Sequence, residues 1–261
     1  MPVLYSYTAM IPSILPSTGP IGVFDSGYGG LTILDKIRGL MPEYDYIYLG
    51  DSARCPYGPR SFEVVYEFTL QAVSKLFELG CPLVILACNT ASAKALRTIQ
   101  QINLPVIDAT RRVLGVIRPT AECIGEITRS RHVGILATAG TIKSESYLLE
   151  IHKLSPDIVV TGEACPMWVS LVENNEYQSE GADYFVKQHI NRLLDKDPMI
   201  DTIILGCTHY PLLRSRIMAY FGESVHIVNP AYETAMDLKQ ILEEQKIANT
   251  SGEPAAYDFY V

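Results

Sequence analysis

The sequence predicts an α/β fold with parallel or mostly parallel sheet and helices packed on its faces. Two observations carry this. Short apolar runs alternate with segments of helical periodicity along the whole chain, as they do where crossover helices join parallel strands. Two strand-and-turn signatures also recur in the same order in the two halves. With 261 residues, 48% of them hydrophobic, the chain can bury a substantial core as one large domain or two modest ones.

The elements follow in order. Ile21 to Phe24 reads as a strand, Asp25 to Gly30 as a tight glycine-rich turn, and Leu31 onward as a helix with Ile33, Ile37 and Leu40 on one side. Tyr46 to Leu49 is a second strand. A loop from Gly50 to Pro59 leads into an amphipathic helix striped by Val65, Phe68, Ala72, Leu76 and Leu79, and Leu83 to Ala87 is a buried strand. A second series places strands at Val133 to Leu136, Ile158 to Thr161 and Thr202 to Leu205, with helices around Ser144 to Lys153 and Gly181 to Asp195. The stretch from Asp108 to Ser130, with Pro119 and several charges, is the expected crossing between two domains. Pro230 suits the first turn of a helix striped by Ala231, Ala235, Leu238 and Leu242, and a Gly252-Glu253-Pro254 turn precedes a last apolar piece from Ala255 to Val261. The expected division is a loose uncharged arm over residues 1–20, a first domain of 21–110 plus 228–261, and a second of 111–227.

The repeat points to chemistry. Ile21-Gly22-Val23-Phe24-Asp25-Ser26-Gly27 answers to Val133-Gly134-Ile135-Leu136-Ala137-Thr138-Ala139. Leu83 to Thr90 answers to Asp201 to Thr208, each an apolar strand, a small residue, then Cys and a neighbourhood rich in hydroxyls. If the halves are related by a pseudo-twofold axis, Cys88 and Cys207 stand at strand ends, where open α/β sheets bind ligands, and can face one another across a cleft. A thiol at a helix N-terminus is expected to ionise more easily than a free one. Inverting a carbon that bears a hydrogen requires a base on one face and an acid on the other, and two thiols can exchange those roles. Free amides in strand-to-helix turns suit a carboxylate. Taken as residue types alone, Asp25 can equally be a turn cap and His209 a helix-start residue bonded to backbone.

Composition excludes several classes. A net charge of -8 with no Lys and Arg cluster offers nothing to a phosphate backbone, so no nucleic-acid partner is expected. No apolar run is long enough to span a bilayer, and the first residues lack the basic start and continuous apolar core of a signal peptide. Six cysteines without a Cys-x-x-Cys pair suit reduced thiols in the cytoplasm. The five histidines show no metal-ligand spacing. Gly27-x-Gly29-Gly30 lacks the spacing of a dinucleotide loop, and no Gly-Lys-Ser/Thr ending is present.

Four motifs together carry a resemblance: Phe24-Asp25-Ser26-Gly27-Tyr28-Gly29-Gly30, Asp51-Ser52-Ala53-Arg54-Cys55-Pro56-Tyr57-Gly58, Ala87-Cys88-Asn89-Thr90-Ala91-Ser92 and Gly206-Cys207-Thr208-His209-Tyr210-Pro211. In order and spacing, over roughly Ile21 to Val261, the chain resembles the glutamate racemases. The resemblance implies two pseudosymmetric α/β domains, with mostly parallel sheets, helices on both faces and the active site in the cleft between them. It also implies no pyridoxal phosphate or other cofactor, no metal, glutamate as substrate, D-glutamate supplied to peptidoglycan, and a homodimer. By the same resemblance Cys88 and Cys207 are the acid and base, assisted by Asp25, His209 and Glu173. Substrate contacts fall to Asp25, Ser26, Pro56, Tyr57, Gly58, Asn89, Thr90, Thr138, Thr141, Thr208 and His209.

Tyr28 departs from the family, which often has a small apolar residue there; the flanking glycines remain. Two other functions stay open. One is racemisation of aspartate or a related acid, since one methylene in a pocket is worth only about 1–3 kcal/mol of discrimination. The other is a non-catalytic hinged binding protein, which has no use for twin thiols.

Overall fold

The computed structural model describes residues 19–222, 224–244 and 255–261. The arm expected over residues 1–20 lies outside the described residues except for its last two, and the Gly252-Glu253-Pro254 turn lies wholly outside them.

Two parallel sheets form the frame. The first contains β1 (Ile21–Asp25), β2 (Tyr46–Gly50), β3 (Leu83–Leu86), β4 (Arg112–Gly115) and β9 (Tyr257–Tyr260), in the order β4-β3-β1-β2-β9. The second contains β5 (His132–Ala137), β6 (Val159–Ala164), β7 (Thr202–Gly206) and β8 (His226–Val228), in the order β6-β5-β7-β8. Written from the other edge, the second sheet runs β8-β7-β5-β6, which matches β4-β3-β1-β2 strand for strand. The repeat in the sequence is thus a repeat of topology. Every pairing in both sheets is parallel.

The crossings are helical. The first half carries α1 (Leu31–Leu40), α2 (Phe62–Glu78), α3 (Asn89–Lys94), α4 (Leu96–Thr98) and α5 (Leu104–Ile107). The second carries α6 (Ile117–Ile127), α7 (Ala139–Lys143), α8 (Ser146–Leu154), α9 (Pro166–Glu173), α10 (Glu180–Lys196) and α11 (Arg214–Phe221). The last helix, α12 (Pro230–Glu244), packs against both α1 and α6.

Each sheet is covered on both faces because its strands are apolar on both. In β3 the side chains alternate: Val84 and Leu86 join the layer of α2 and α3, with Phe24, Val65 and Leu76, while Leu83 and Ile85 join that of α1 and α12, with Ile33, Ile37 and Leu238. The second sheet repeats this, with Ile203 and Leu205 facing α9, α10 and α11, and Val133, Ile135 and Ile204 facing α6 and α8. Complete burial of one such side chain is worth about 1.5–3 kcal/mol.

One expectation needs correction. The crossing from Asp108 to Ser130 is an ordered strand and helix, and β4 pairs with β3 in the first sheet, beyond residue 110 where the sequence reading closes that segment. Only Val113 in β4 is fully buried, so no apolar run marks the strand. The helix expected around Ser144 to Lys153 is α8, set off from the short α7 before it where Glu145 takes a left-handed backbone (φ 55°).

Candidate active site

The duplicated topology brings four strand ends together. Asp25 closes β1, Cys88 follows β3, Thr138 follows β5 and Cys207 follows β7 after Gly206. These ends enclose a narrow cavity, lined from the first half by Ser26, Cys55, Pro56, Tyr57, Gly58, Cys88, Asn89 and Thr90. The second half contributes Thr138, Val169, Cys207, Thr208 and His209. Both thiols open into this one space, with Cys88 5% and Cys207 6% exposed.

Cys88 sits at the N-cap of α3, where its sulfur accepts the Ala91 N–H at 3.5 Å and lies 3.6 Å from the Ser26 hydroxyl. The helix-start amide favours a thiolate, as the sequence reading expects, but burial outweighs it. Burial, with the Asp25 carboxylate adding to it, pushes the Cys88 thiol up to about 12, so the resting side chain is a neutral acid. Asp25 is fully buried. One of its oxygens accepts the Gly27 N–H at 3.1 Å, which is the turn cap, and the other lies 3.4 Å from the Thr208 hydroxyl of the opposite half. Burial raises its pKa, while His209 and backbone amides act against that rise.

Cys207 has a different escort. Its sulfur is 3.7 Å from Nδ1 of His209, whose Nε2 is bonded to the Glu173 carboxylate at the end of α9. Burial works to discharge the ring, but hydrogen bonds to Cys207 and Glu173 overcome it and raise the His209 pKa to about 10. The bond to His209 in turn lowers the Glu173 pKa. An imidazolium backed by a carboxylate therefore stands beside Cys207 at neutral pH and can stabilise negative charge on that sulfur.

The walls are polar and tightly fitted. Thr90, Thr138 and Thr141 form a hydroxyl cluster across the two halves, with Thr90 to Thr138 at 2.9 Å, Thr138 to Thr141 at 3.1 Å and Thr90 to Thr141 at 3.4 Å. Thr138 also caps α7 by accepting the Thr141 N–H. The Tyr57 hydroxyl donates to Asp51, which also pairs with Arg54 at 2.6 Å. Gly140 N–H donates to the Gly58 carbonyl at 3.0 Å, joining the halves at one rim. At Gly29 there is no room for a side chain: a Cβ would stand 2.4 Å from the Thr208 hydroxyl and 2.7 Å from the His209 ring.

Of the residues singled out in the sequence, Ser26, Pro56, Tyr57, Gly58, Cys88, Asn89, Thr90, Thr138, Cys207, Thr208 and His209 line the cavity directly. Asp25, Glu173 and Thr141 stand one layer behind, in contact with residues that do. Cys55 and Val169 also line it and were not singled out, although Cys55 lies within the Asp51 to Gly58 motif. The His209 ring bonds Cys207 and Glu173 rather than backbone. Among the described residues no group of three or more His, Cys, Asp or Glu side chains is placed to hold a metal ion, and no helix is long and apolar enough to cross a membrane.

Comparison with known proteins agrees with this architecture. The model of the Asp/Glu/hydantoin racemase family matches residues 32–237, and the chain belongs to that family of isomerases. Relatives at about 40% identity are glutamate racemases. It is 41% identical over 241 residues to the glutamate racemase of Enterococcus faecalis, covering 92% of this chain and 85% of that one. A glutamate racemase isoform from Bacillus anthracis superposes with a TM-score of 0.85 at 38% identity, covering 93% of this chain and 88% of that one. The Francisella tularensis glutamate racemase, solved in complex with D-glutamate, gives 0.84 at 35% identity, with 94% and 88% covered.

Proposed function

We propose that the protein interconverts L- and D-glutamate, with Cys88 and Cys207 exchanging protons with opposite faces of the α-carbon and no cofactor taking part. The observation that carries this reading is the placement of two thiols at equivalent strand ends of a duplicated fold, both opening into one buried cavity. The thiolate of one cysteine takes the α-proton. The electron pair passes into the substrate carboxylate, and the other thiol returns a proton to the opposite face, so that one negative charge moves from sulfur to sulfur. With one enantiomer bound, Cys88 acts as the acid and Cys207, beside the His209 imidazolium, as the base. The reverse reaction exchanges these roles.

Asp25 tunes Cys88, and the Glu173–His209 pair tunes Cys207. Ser26, Tyr57, Gly58, Asn89, Thr90, Thr138, Thr141 and Thr208, with backbone at Pro56, hold the two carboxylates through hydroxyl, amide and backbone donors. Threonine hydroxyls accept from the α-ammonium, with the Asp25 carboxylate behind Thr208. The product serves peptidoglycan synthesis in the cytoplasm, where six free cysteines are at home, and the working unit is a homodimer.

The test is incubation of protein freed of metal and pyridoxal phosphate with each glutamate enantiomer in heavy water. Loss of the α-hydrogen together with loss of optical rotation is expected from both enantiomers. Exchange on aspartate alone moves the substrate assignment, and no exchange on either acid overturns the function.

A further inference from the structure

Tyr147 is 2% exposed, lies on α8 beneath the cavity and does not line it. Its hydroxyl reaches from the second half into the first and donates to Oδ1 of Asn89 at 2.7 Å. Its ring edge lies 3.3 Å from the position a Cβ would take on Gly206, the residue before Cys207. One side chain thus touches the immediate neighbours of both cysteines. A buried phenol needs hydrogen-bond partners, and here they are the Thr120 side chain and the amide oxygen of Asn89, a residue that does line the cavity.

An asparagine amide has one end that accepts and one that donates. With Oδ1 engaged by Tyr147, the NH2 group is the end left for the cavity, and it is the end that an anionic substrate group can use. The opposite orientation turns a carbonyl oxygen toward a carboxylate and gives up the bond from the phenol to Oδ1. Because the bond crosses from α8 to α3, the orientation is held only while the two halves are together.

We propose that Tyr147 is a positioning residue, fixing the Asn89 amide so that its NH2 group faces the substrate carboxylate. This rests on the glutamate racemase reading above. Tyr147→Phe keeps the ring and removes only the hydroxyl, so the amide is free to turn. KM for glutamate is expected to rise roughly tenfold, the scale of a lost bond to a charged group, with kcat changed much less.

The decisive measurement is a double-mutant cycle with Asn89→Ala. If Tyr147 acts through Asn89, Tyr147→Phe adds no more than about a twofold change in KM once the amide is gone, whereas a merely structural role makes the two effects multiply. Asn89→Asp gives an independent readout that leaves the tyrosine untouched. It preserves an acceptor for the phenol but turns a charged oxygen to the cavity, and it should raise KM more than Asn89→Ala does. Multiplicative effects in the cycle, or glutamate binding by Asn89→Asp as tight as in the wild type, overturn the assignment. A wild type that does not racemise glutamate overturns the parent reading and this one with it. An active wild type with a multiplicative cycle overturns this one alone.

Discussion

Glu173 and His209 lie on different segments of the second half, yet the Glu173 carboxylate bonds Nε2 of the ring whose Nδ1 faces the Cys207 sulfur. This chain of contacts holds a protonated imidazole next to one thiol. Nothing equivalent stands beside Cys88, whose neighbours are a carboxylate, a serine hydroxyl and a helix-start amide. The two halves are alike in topology and unlike in electrostatics.

The pH dependence follows from the directions of the shifts. His209 is raised from 6.5 to about 10, so its pairing stabilises the fold fully below about pH 6.5 and is lost as pH rises through about 10. Glu173 is lowered from 4.5, so its share is present above that value and is lost as pH falls through the depressed one. Activity that needs the imidazolium should fail near pH 10, before the Cys88 thiol titrates at about 12. Glu173→Gln should move that alkaline limb toward neutrality and lower kcat/KM by roughly a hundredfold at pH 8, the low end of acid–base contributions. A pH–rate profile with an unmoved limb contradicts the role given to Glu173.

Two glycines hold space for the closed site. Gly29→Ala places a methyl 2.4 Å from the Thr208 hydroxyl and against the His209 ring. Gly140→Ala places one 2.7 Å from the Gly58 carbonyl, which is backbone and cannot swing aside. Each should cost about 1–3 kcal/mol in thermal or urea unfolding, as overpacking does. Gly29→Ala should lower kcat by displacing His209, and Gly140→Ala should raise KM by parting the rims. Steady-state kinetics indistinguishable from wild type for both variants contradict the closed cleft as the working form.

Far from the cavity, Asp201 accepts the Ser130 and Arg129 amides at 2.6 and 2.8 Å and the Thr128 hydroxyl at 2.7 Å, fastening the turn that enters β5. These bonds hold its carboxyl well below the ordinary 3.8 even against burial. Asp201→Asn should cost about 1–3 kcal/mol at neutral pH, the scale of bonds to a charged group, without changing KM. Since a depressed carboxylate stabilises above its unfolded pKa, the gap between variant and wild type should close as pH falls below about 3.8. Urea titrations at neutral and acid pH check both statements.

Much of the site was legible because the chemistry sits at the ends of apolar strands. Leu83 to Leu86 and Thr202 to Leu205 are runs that only a buried strand accommodates, and each delivers a cysteine at its end. What escaped is set by contacts remote in sequence. Tyr147 meets Asn89 across the two halves, and no local pattern marks the pair. Strand β4 begins with Arg112, ends with Gly115 and buries one side chain, so it lacks the signature of β3 beside it. The ionisation of Cys88 was misjudged for a related reason. The helix-start amide is a local feature and can be read from Cys88 to Ala91, whereas burial and the Asp25 charge come from the folded chain.

The account stands most directly on the exchange behaviour of Cys88→Ala and Cys207→Ala in heavy water, each offered both enantiomers of glutamate. Neither folded variant should racemise, and any α-hydrogen exchange that survives should be confined to one enantiomer in Cys88→Ala and to the other in Cys207→Ala. Undiminished racemisation by either variant contradicts it.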